Sequence, residues 1–151
     1  MTPQVVKPEV VEQLCKSSVP LFDYLNVSFE IVDGGIVRCH LPFDRKANNH
    51  LNTVYAGAQF CIAEVLGGIG FMTAAISGYV PILKGMNVDF VKPALTDLTA
   101  EVCFSESDIQ KMKAQLETEG RYDFELESKI QDTSGTIVAT GKALYAIRKM
   151  R

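Results

Sequence analysis

A single charge, the carboxylate of Glu64, stands in a long, mostly apolar segment that follows a polar loop. Loop and segment together run from Asn49 to Phe71, NHLNTVYAGAQFCIAEVLGGIGF, and the apolar pattern continues to about Ser77. Because strands rarely run beyond about ten residues, this length predicts a buried helix that follows a polar loop. Taking a carboxylate out of water is expensive unless it is paired, hydrogen-bonded or protonated. Glu64 is therefore the first candidate for chemistry.

Two other interpretations of this stretch are open. A helix can turn a polar stripe to solvent, but the helical neighbours of Glu64 include no other charge: Gly57, Phe60, Cys61, Gly67, Gly68 and Phe71. The uncharged run from Val65 to Leu83 is long enough for a membrane span, yet it contains four glycines and Pro81. We favour a buried helix in which Gly67, Gly68 and Gly70 allow a sheet to pack closely.

The loop before this helix is rich in amide side chains. Asn48, Asn49 and Asn52 surround His50, and Asn residues favour turns and left-handed backbone, so ordinary loop chemistry is one interpretation. The functional alternative is that one amide projects into a site at the start of the helix. Thr53 is our candidate for the helix cap.

The rest of the chain alternates apolar and polar residues as strands do. Two such runs flank Asp33-Gly34-Gly35 and predict a hairpin. About four antiparallel strands should follow the long helix, with a short surface helix inserted between Ser105 and Gly120. The order of elements predicts an α+β fold, an antiparallel sheet curled round one central helix.

The length, net charge and cysteine content of the chain limit its possible functions. A chain of 151 residues suits one domain, residues 1–151, and its net charge of −3 argues against nucleic acid as the main partner. The four cysteines are widely spaced and form no CxxC pair, so we expect no metal site. No signal peptide is visible at the N-terminus, and we expect a cytoplasmic protein with no membrane partner.

The sequence resembles the hot-dog fold superfamily, and within it the phenylacetyl-CoA-type thioesterases. Those enzymes carry an Asn, then His-Gly-Gly, then an Asp; here Asn49, Tyr55-Ala56-Gly57 and Glu64 stand at the same spacing. Tyr55 takes the usual His position and Glu64 replaces the Asp. The closest resemblance is to a hot-dog subfamily of unassigned function whose helix begins with Tyr-Ala-Gly.

The resemblance implies a role for each matching residue. Asn49 would hold the attacking water or the thioester, the Gly57 N–H would polarise the thioester carbonyl, and Glu64 would be general base or nucleophile. Tyr55, Ala56 and Asn52 would line the substrate site. The implied substrate is an acyl-CoA or another acyl thioester. No cofactor is implied beyond the coenzyme A of the substrate itself.

Helix geometry predicts that the site needs more than one chain. Gly57 and Glu64 are seven residues apart, which is about 10 Å along a helix axis, so one thioester carbon cannot easily meet both. A second subunit would bring its own helix, and the resemblance likewise implies sites shared across a dimer. We therefore expect a homodimer or a dimer of dimers.

Two alternative functions stay open at this stage. Some hot-dog dehydratases and hydratases pair a loop His with a helix Glu, and His50 with Glu64 has a similar spacing. The other alternative is a non-catalytic acyl-binding module.

Overall fold

The structure is a computed structural model that describes residues 7–32 and 35–151. Four helices and six strands follow one another in the order α1 Pro8–Ser18, α2 Pro20–Tyr24, β1 Ser28–Val32, β2 Ile36–Leu41, α3 Ala56–Thr73, β3 Tyr79–Phe90, β4 Leu98–Cys103, α4 Glu106–Glu119, β5 Arg121–Gln131 and β6 Ile137–Lys149. The predicted hairpin therefore forms from β1 and β2, while Asp33 and Gly34 of its turn lie outside the described residues.

All six strands belong to one antiparallel sheet with the order β1-β2-β4-β5-β6-β3. The long helix α3 packs against β2, β3, β4, β5 and β6. This arrangement confirms the α+β prediction of an antiparallel sheet wrapped around a central helix, the hot-dog fold. The first strand after α3, β3, forms one edge of the sheet.

Helix α3 has two faces that differ in burial rather than in polarity. One face is fully buried against the sheet, and includes Ile62, Leu66 and Ile69. The other face is half-buried and runs along the helix at helical spacing through Gly57, Phe60, Cys61, Glu64, Val65, Gly68 and Met72. We call these seven residues the α3 stripe. A helix that is apolar on both faces normally has both covered, yet this chain covers only one fully.

Two of the three glycines in the middle of α3 allow the close approach that the sequence predicts. A Cβ atom at Gly67 would collide with the ring of Tyr145 on β6, and one at Gly70 would collide with the ring of Phe104. Gly68 does not fit this explanation, because nothing lies within 4 Å of where its Cβ would be. It belongs to the α3 stripe, which faces away from the sheet, so our prediction for Gly68 was wrong.

The end of α3 differs from the prediction. The helix ends at Thr73 rather than near Ser77, because Ala75 adopts a left-handed backbone with φ of 52° that helical geometry does not allow. The following strand, β3, starts at Tyr79 and ends at Phe90. By length and composition α3 could cross a membrane, but the core helix of a soluble protein passes the same test.

The inserted helix α4 forms as expected between β4 and β5. Ser105 and Asp108 make a reciprocal capping box at its start, and Gly120 ends it with a left-handed φ of 68°.

Candidate active site

The loop between β2 and α3 is held by backbone hydrogen bonds on both sides. Asn48 and Val54 form an isolated antiparallel bridge, and the Tyr55 N–H donates to the carbonyl of Ala47 at 2.8 Å. The Val54 N–H donates to the carbonyl of Ala94 at 2.9 Å, which ties the loop to the segment after β3. These bonds fix the direction in which α3 begins.

The side chain of Asn49 holds this loop together through hydrogen bonds. Its Oδ1 accepts from the N–H groups of Leu51 at 2.9 Å and Thr53 at 3.2 Å, and its Nδ2 donates to Thr53 Oγ1 at 2.9 Å. Because the amide oxygen already has two donors, both of its lone pairs are used within the loop and none is left for a water nucleophile. One N–H of the Asn49 amide is not used by these bonds.

Asn52 and Thr53 of the loop also have structural roles. Asn52 holds a left-handed backbone with φ of 57°, is exposed, and accepts at Oδ1 from Asn48 Nδ2 at 3.4 Å. Thr53 does not cap the helix, so that prediction was wrong. The N-cap residue is Tyr55, which makes no side-chain capping bond, and the Thr53 hydroxyl accepts from Asn49 instead.

The start of α3 presents backbone N–H groups that no side chain caps. Ala56, Gly57 and Ala58 have no intrahelical acceptor, because the carbonyls four residues earlier lie outside the helix. The Tyr55 side chain is 57% exposed and its ring lies against Gly57, where a Cβ would collide with it. Aligned N–H groups at a helix start favour negative charge, as on a carbonyl oxygen under attack.

Glu64 is half-buried on the α3 stripe, and burial raises the pKa of its carboxyl group. Within the described residues its carboxylate makes no hydrogen bond or ion pair. Its backbone carbonyl accepts from the Tyr145 hydroxyl, which fixes this turn of the helix. A desolvated carboxylate without a cation is a stronger base than one in water, which suits it to take a proton.

The nearest thiols are poor nucleophiles beside this acid. Burial, and to a smaller extent the Glu64 charge, raises the pKa of the Cys15 and Cys61 thiols. A thiol with a raised pKa stays protonated near neutral pH and does not attack carbonyl carbon.

The structure brings some of the candidate residues together and separates others. Asn49 and Ala56 line a common cleft of about 380 Å³ beside the start of α3, which we call the α3 entry cleft. Tyr55 and Gly57 stand at the same helix start but do not line this cleft. Glu64 shares the stripe with Gly57 but lies about two turns further on.

Sequence reasoning missed Gln59. Its side chain is only 4% exposed and lines the α3 entry cleft, and its Nε2 donates to the carbonyl of Val54 at 3.0 Å. Its Oε1 is buried and has no hydrogen-bond donor. The signal that could have found it is an amide in the first turn of a mostly apolar helix whose one charge is Glu64.

His50, the candidate of the dehydratase alternative, is exposed on the loop and does not line the α3 entry cleft. In the parts of the chain that the structure describes, no three His, Cys, Asp or Glu side chains cluster as metal ligands do.

Solved structures share this fold over nearly the whole chain. A protein of unknown function from Pseudomonas aeruginosa, PA5026, named a probable thioesterase, is 28% identical, with 98% of this chain and 99% of that chain covered and a TM-score of 0.89. Thioesterase HI1161 from Haemophilus influenzae is 12% identical, with coverage of 97% and 94% and a TM-score of 0.78. A mutant of thioesterase PA1618 from Pseudomonas aeruginosa is 14% identical, with coverage of 97% of both chains and a TM-score of 0.78.

At the identities of the last two, the likeness shows the fold alone. No curated protein matches the sequence. The profile of one family, described as a domain of unknown function, DUF4442, matches residues 8–147. Since that match spans most of the chain, this protein belongs to the DUF4442 family, built on the hot-dog fold.

Proposed function

We propose that this protein hydrolyses an acyl thioester, with Glu64 as the general base. The observation that carries the proposal is the half-buried, unpartnered Glu64 carboxylate on the same helix face as the uncapped N–H of Gly57. The hot-dog fold and the name of PA5026 as a probable thioesterase support the reaction class. The phenylacetyl-CoA-type subfamily remains part of this proposal.

The reaction would proceed in two steps. Glu64 takes a proton from water as the water oxygen bonds to the thioester carbon, and the Gly57 N–H stabilises the negative charge that develops on the carbonyl oxygen. The tetrahedral intermediate then collapses, the C–S bond breaks, and the protonated Glu64 returns its proton to the leaving thiolate. The products are a carboxylic acid and a free thiol, and Glu64 regains its starting state.

The site would be formed by two copies of the chain. Gly57 and Glu64 of one helix are about 10 Å apart along its axis, too far to meet at one carbon. A second copy packed on the α3 stripe would place its Glu64 beside the first copy's Gly57. The long edge strand β3 offers the backbone groups for such a pairing.

The other candidate residues would surround the thioester at the start of α3. Asn49 would offer its unused amide N–H, and Ala56 would line the cleft that the substrate enters. Tyr55 would cover the helix start with its exposed ring. Asn52, which its left-handed backbone holds in the turn, would line the rim of the substrate site.

The direct test is thiol release from a panel of acyl-CoA thioesters. Glu64→Gln keeps the shape of the side chain and removes the base, so the rate should fall by about 10²-fold or more while the circular dichroism spectrum is unchanged. Glu125→Gln, on the exposed face of β5, is a matched control that should keep the parent rate. An unchanged rate in Glu64→Gln would assign Glu64 to structure, and a parent that releases no thiol from any substrate would favour the acyl-binding module.

A further inference from the structure

The buried amide of Gln59 has an acceptor that the protein leaves unused. In the described residues three buried side-chain polar atoms lack a partner, and of their residues only Gln59 lines the α3 entry cleft. The amide orientation follows from chemistry, because the Val54 carbonyl can only accept and therefore requires the NH₂ end. The atom left over is a carbonyl oxygen, which calls for a donor.

This acceptor lies at the same end of α3 as the uncapped N–H groups. Side chains on a helix lean toward its N-terminus, and Gln59 reaches back to Val54, which precedes the first helical residue. Ala56, one of the residues whose N–H has no intrahelical acceptor, lines the same cleft as Gln59, so a ligand in that cleft lies beside both residues.

The walls of the α3 entry cleft define what such a ligand must be. Leu51, Val54, Phe90, Val91 and Pro93 make most of the lining apolar, and Lys92 is its one charged residue. The lining holds no carboxylate to attract a cation, so a protonated amine is a poor fit. A slender, uncharged chain that carries an N–H satisfies both the walls and the Gln59 oxygen.

Both walls are anchored, so the cleft does not depend on a mobile loop. Val54 on one side bonds to Ala94 on the other, and the N–H groups of Val91 and Lys92 both donate to the Val138 carbonyl, at 2.8 and 3.1 Å.

We propose that Gln59 is a specificity-determining residue whose Oε1 accepts a hydrogen bond from the amide N–H of a pantetheine arm. In that arm two methylene groups separate the thioester sulfur from an amide nitrogen, so the amide N–H lies close to the reacting carbonyl. This inference rests on the proposed thioester hydrolysis and deepens it. It predicts that thioesters lacking this N–H are selected against.

Binding of two non-hydrolysable probes to the unmodified protein gives the first test. The thioether S-hexyl-N-acetylcysteamine carries the N–H, and S-hexyl-2-thioethyl acetate has an ester oxygen in its place. An unsatisfied buried acceptor costs enough that calorimetry should show about tenfold weaker binding of the ester probe. Equal affinity for the two probes, or binding of neither, would overturn the inference.

A variant tests whether Gln59 is the source of the preference. Gln59→Met keeps the length of the side chain and removes the acceptor, so its two affinities should agree within about twofold. Gln110→Met, on the exposed face of α4, is the matched control and should retain the parent preference. A Gln59→Met protein that keeps the tenfold preference would contradict the proposal.

The probes also separate this inference from the function on which it rests. Preference for the N–H probe without hydrolysis of any thioester would keep the pantetheine site and remove the hydrolase. Hydrolysis of acyl-N-acetylcysteamine and its ester analogue at equal kcat/KM would keep the hydrolase and remove the site. Coenzyme A and a phosphopantetheinylated carrier protein share the arm; displacement of the N–H probe by either supports the inference, and displacement by neither opposes it.

Discussion

At the scale of single residues, the chemistry depends on a carboxylate that the fold neither pairs nor fully exposes. The Tyr145 hydroxyl donates to the backbone carbonyl of Glu64 and not to its carboxylate. Asn49 shows the opposite behaviour, because the loop uses both its amide oxygen and one of its N–H groups. The loop's hydrogen bonds explain the position of Asn49, whereas no such bond explains the position of the Glu64 carboxylate.

The raised pKa of Glu64 predicts how stability depends on pH. Its folded-state pKa lies above the ordinary value of 4.5, so folding favours the protonated form and ionisation destabilises the fold above the folded-state pKa. Glu64→Gln, which is always neutral, should melt at a higher temperature than the parent at pH 7. As pH falls through the folded-state pKa toward 4.5, the two melting temperatures should converge; a constant difference, or none, would contradict the burial of Glu64.

His50 should be dispensable for hydrolysis. It is exposed on the loop and outside the α3 entry cleft, so it has no proton to move in this mechanism. His50→Ala should keep thiol release within about threefold of the parent, since acid–base groups are worth about 10²-fold or more. Collapse of turnover in this variant, together with hydration of enoyl-CoA by the parent, would establish the dehydratase alternative.

Sequence alone could single out Glu64 but not Gln59. An isolated charge in an apolar run is visible in the letters, and its half-buried, unpartnered state agrees with that interpretation. The orphan oxygen of Gln59 exists only because Val54, brought close by the turn into α3, takes the other end of the amide. Likewise, the saturation of Asn49 depends on loop geometry that residue types do not encode.

At the scale of elements, α3 supplies both parts of the proposed site, the N–H groups at its start and the acid two turns later. Its existence follows from the length of the apolar run, and its close packing from Gly67 and Gly70. Its end could not be predicted, because the residue that takes the left-handed backbone beyond it is Ala75 rather than a glycine.

Two substitutions at Gly57 test the helix start. Gly57→Ala keeps the N–H and adds a Cβ that displaces the exposed Tyr55 ring, whereas Gly57→Pro adds a comparable Cβ and removes the N–H. Proline is tolerated in a first helical turn, so the fold should survive. We expect Gly57→Pro to lose about 10²-fold more kcat than Gly57→Ala, as removal of an oxyanion donor does. Equal rates in the two variants would show that this N–H takes no part.

At the scale of the whole molecule, two surfaces of the described chain lack a packing or pairing partner. The α3 stripe is apolar apart from Glu64 and only half-covered, and β3 is a long strand at the edge of the sheet. Residues Gly85 to Phe90 pair regularly with β6 on one side, and their other side is open in the described chain. A second copy that covers both features would also bring Gly57 and Glu64 of different chains together.

Activity of a purified mixed dimer tests hydrolysis at a shared site most directly. Gly57→Pro and Glu64→Gln chains carrying different tags are co-expressed, and the dimer that contains one of each is isolated. If each site takes Gly57 from one chain and Glu64 from the other, one of its two sites is intact, and thiol release should reach about half the parent rate. A mixed dimer no more active than the two single-variant proteins, or a parent that is a stable monomer at micromolar concentration, would contradict the account.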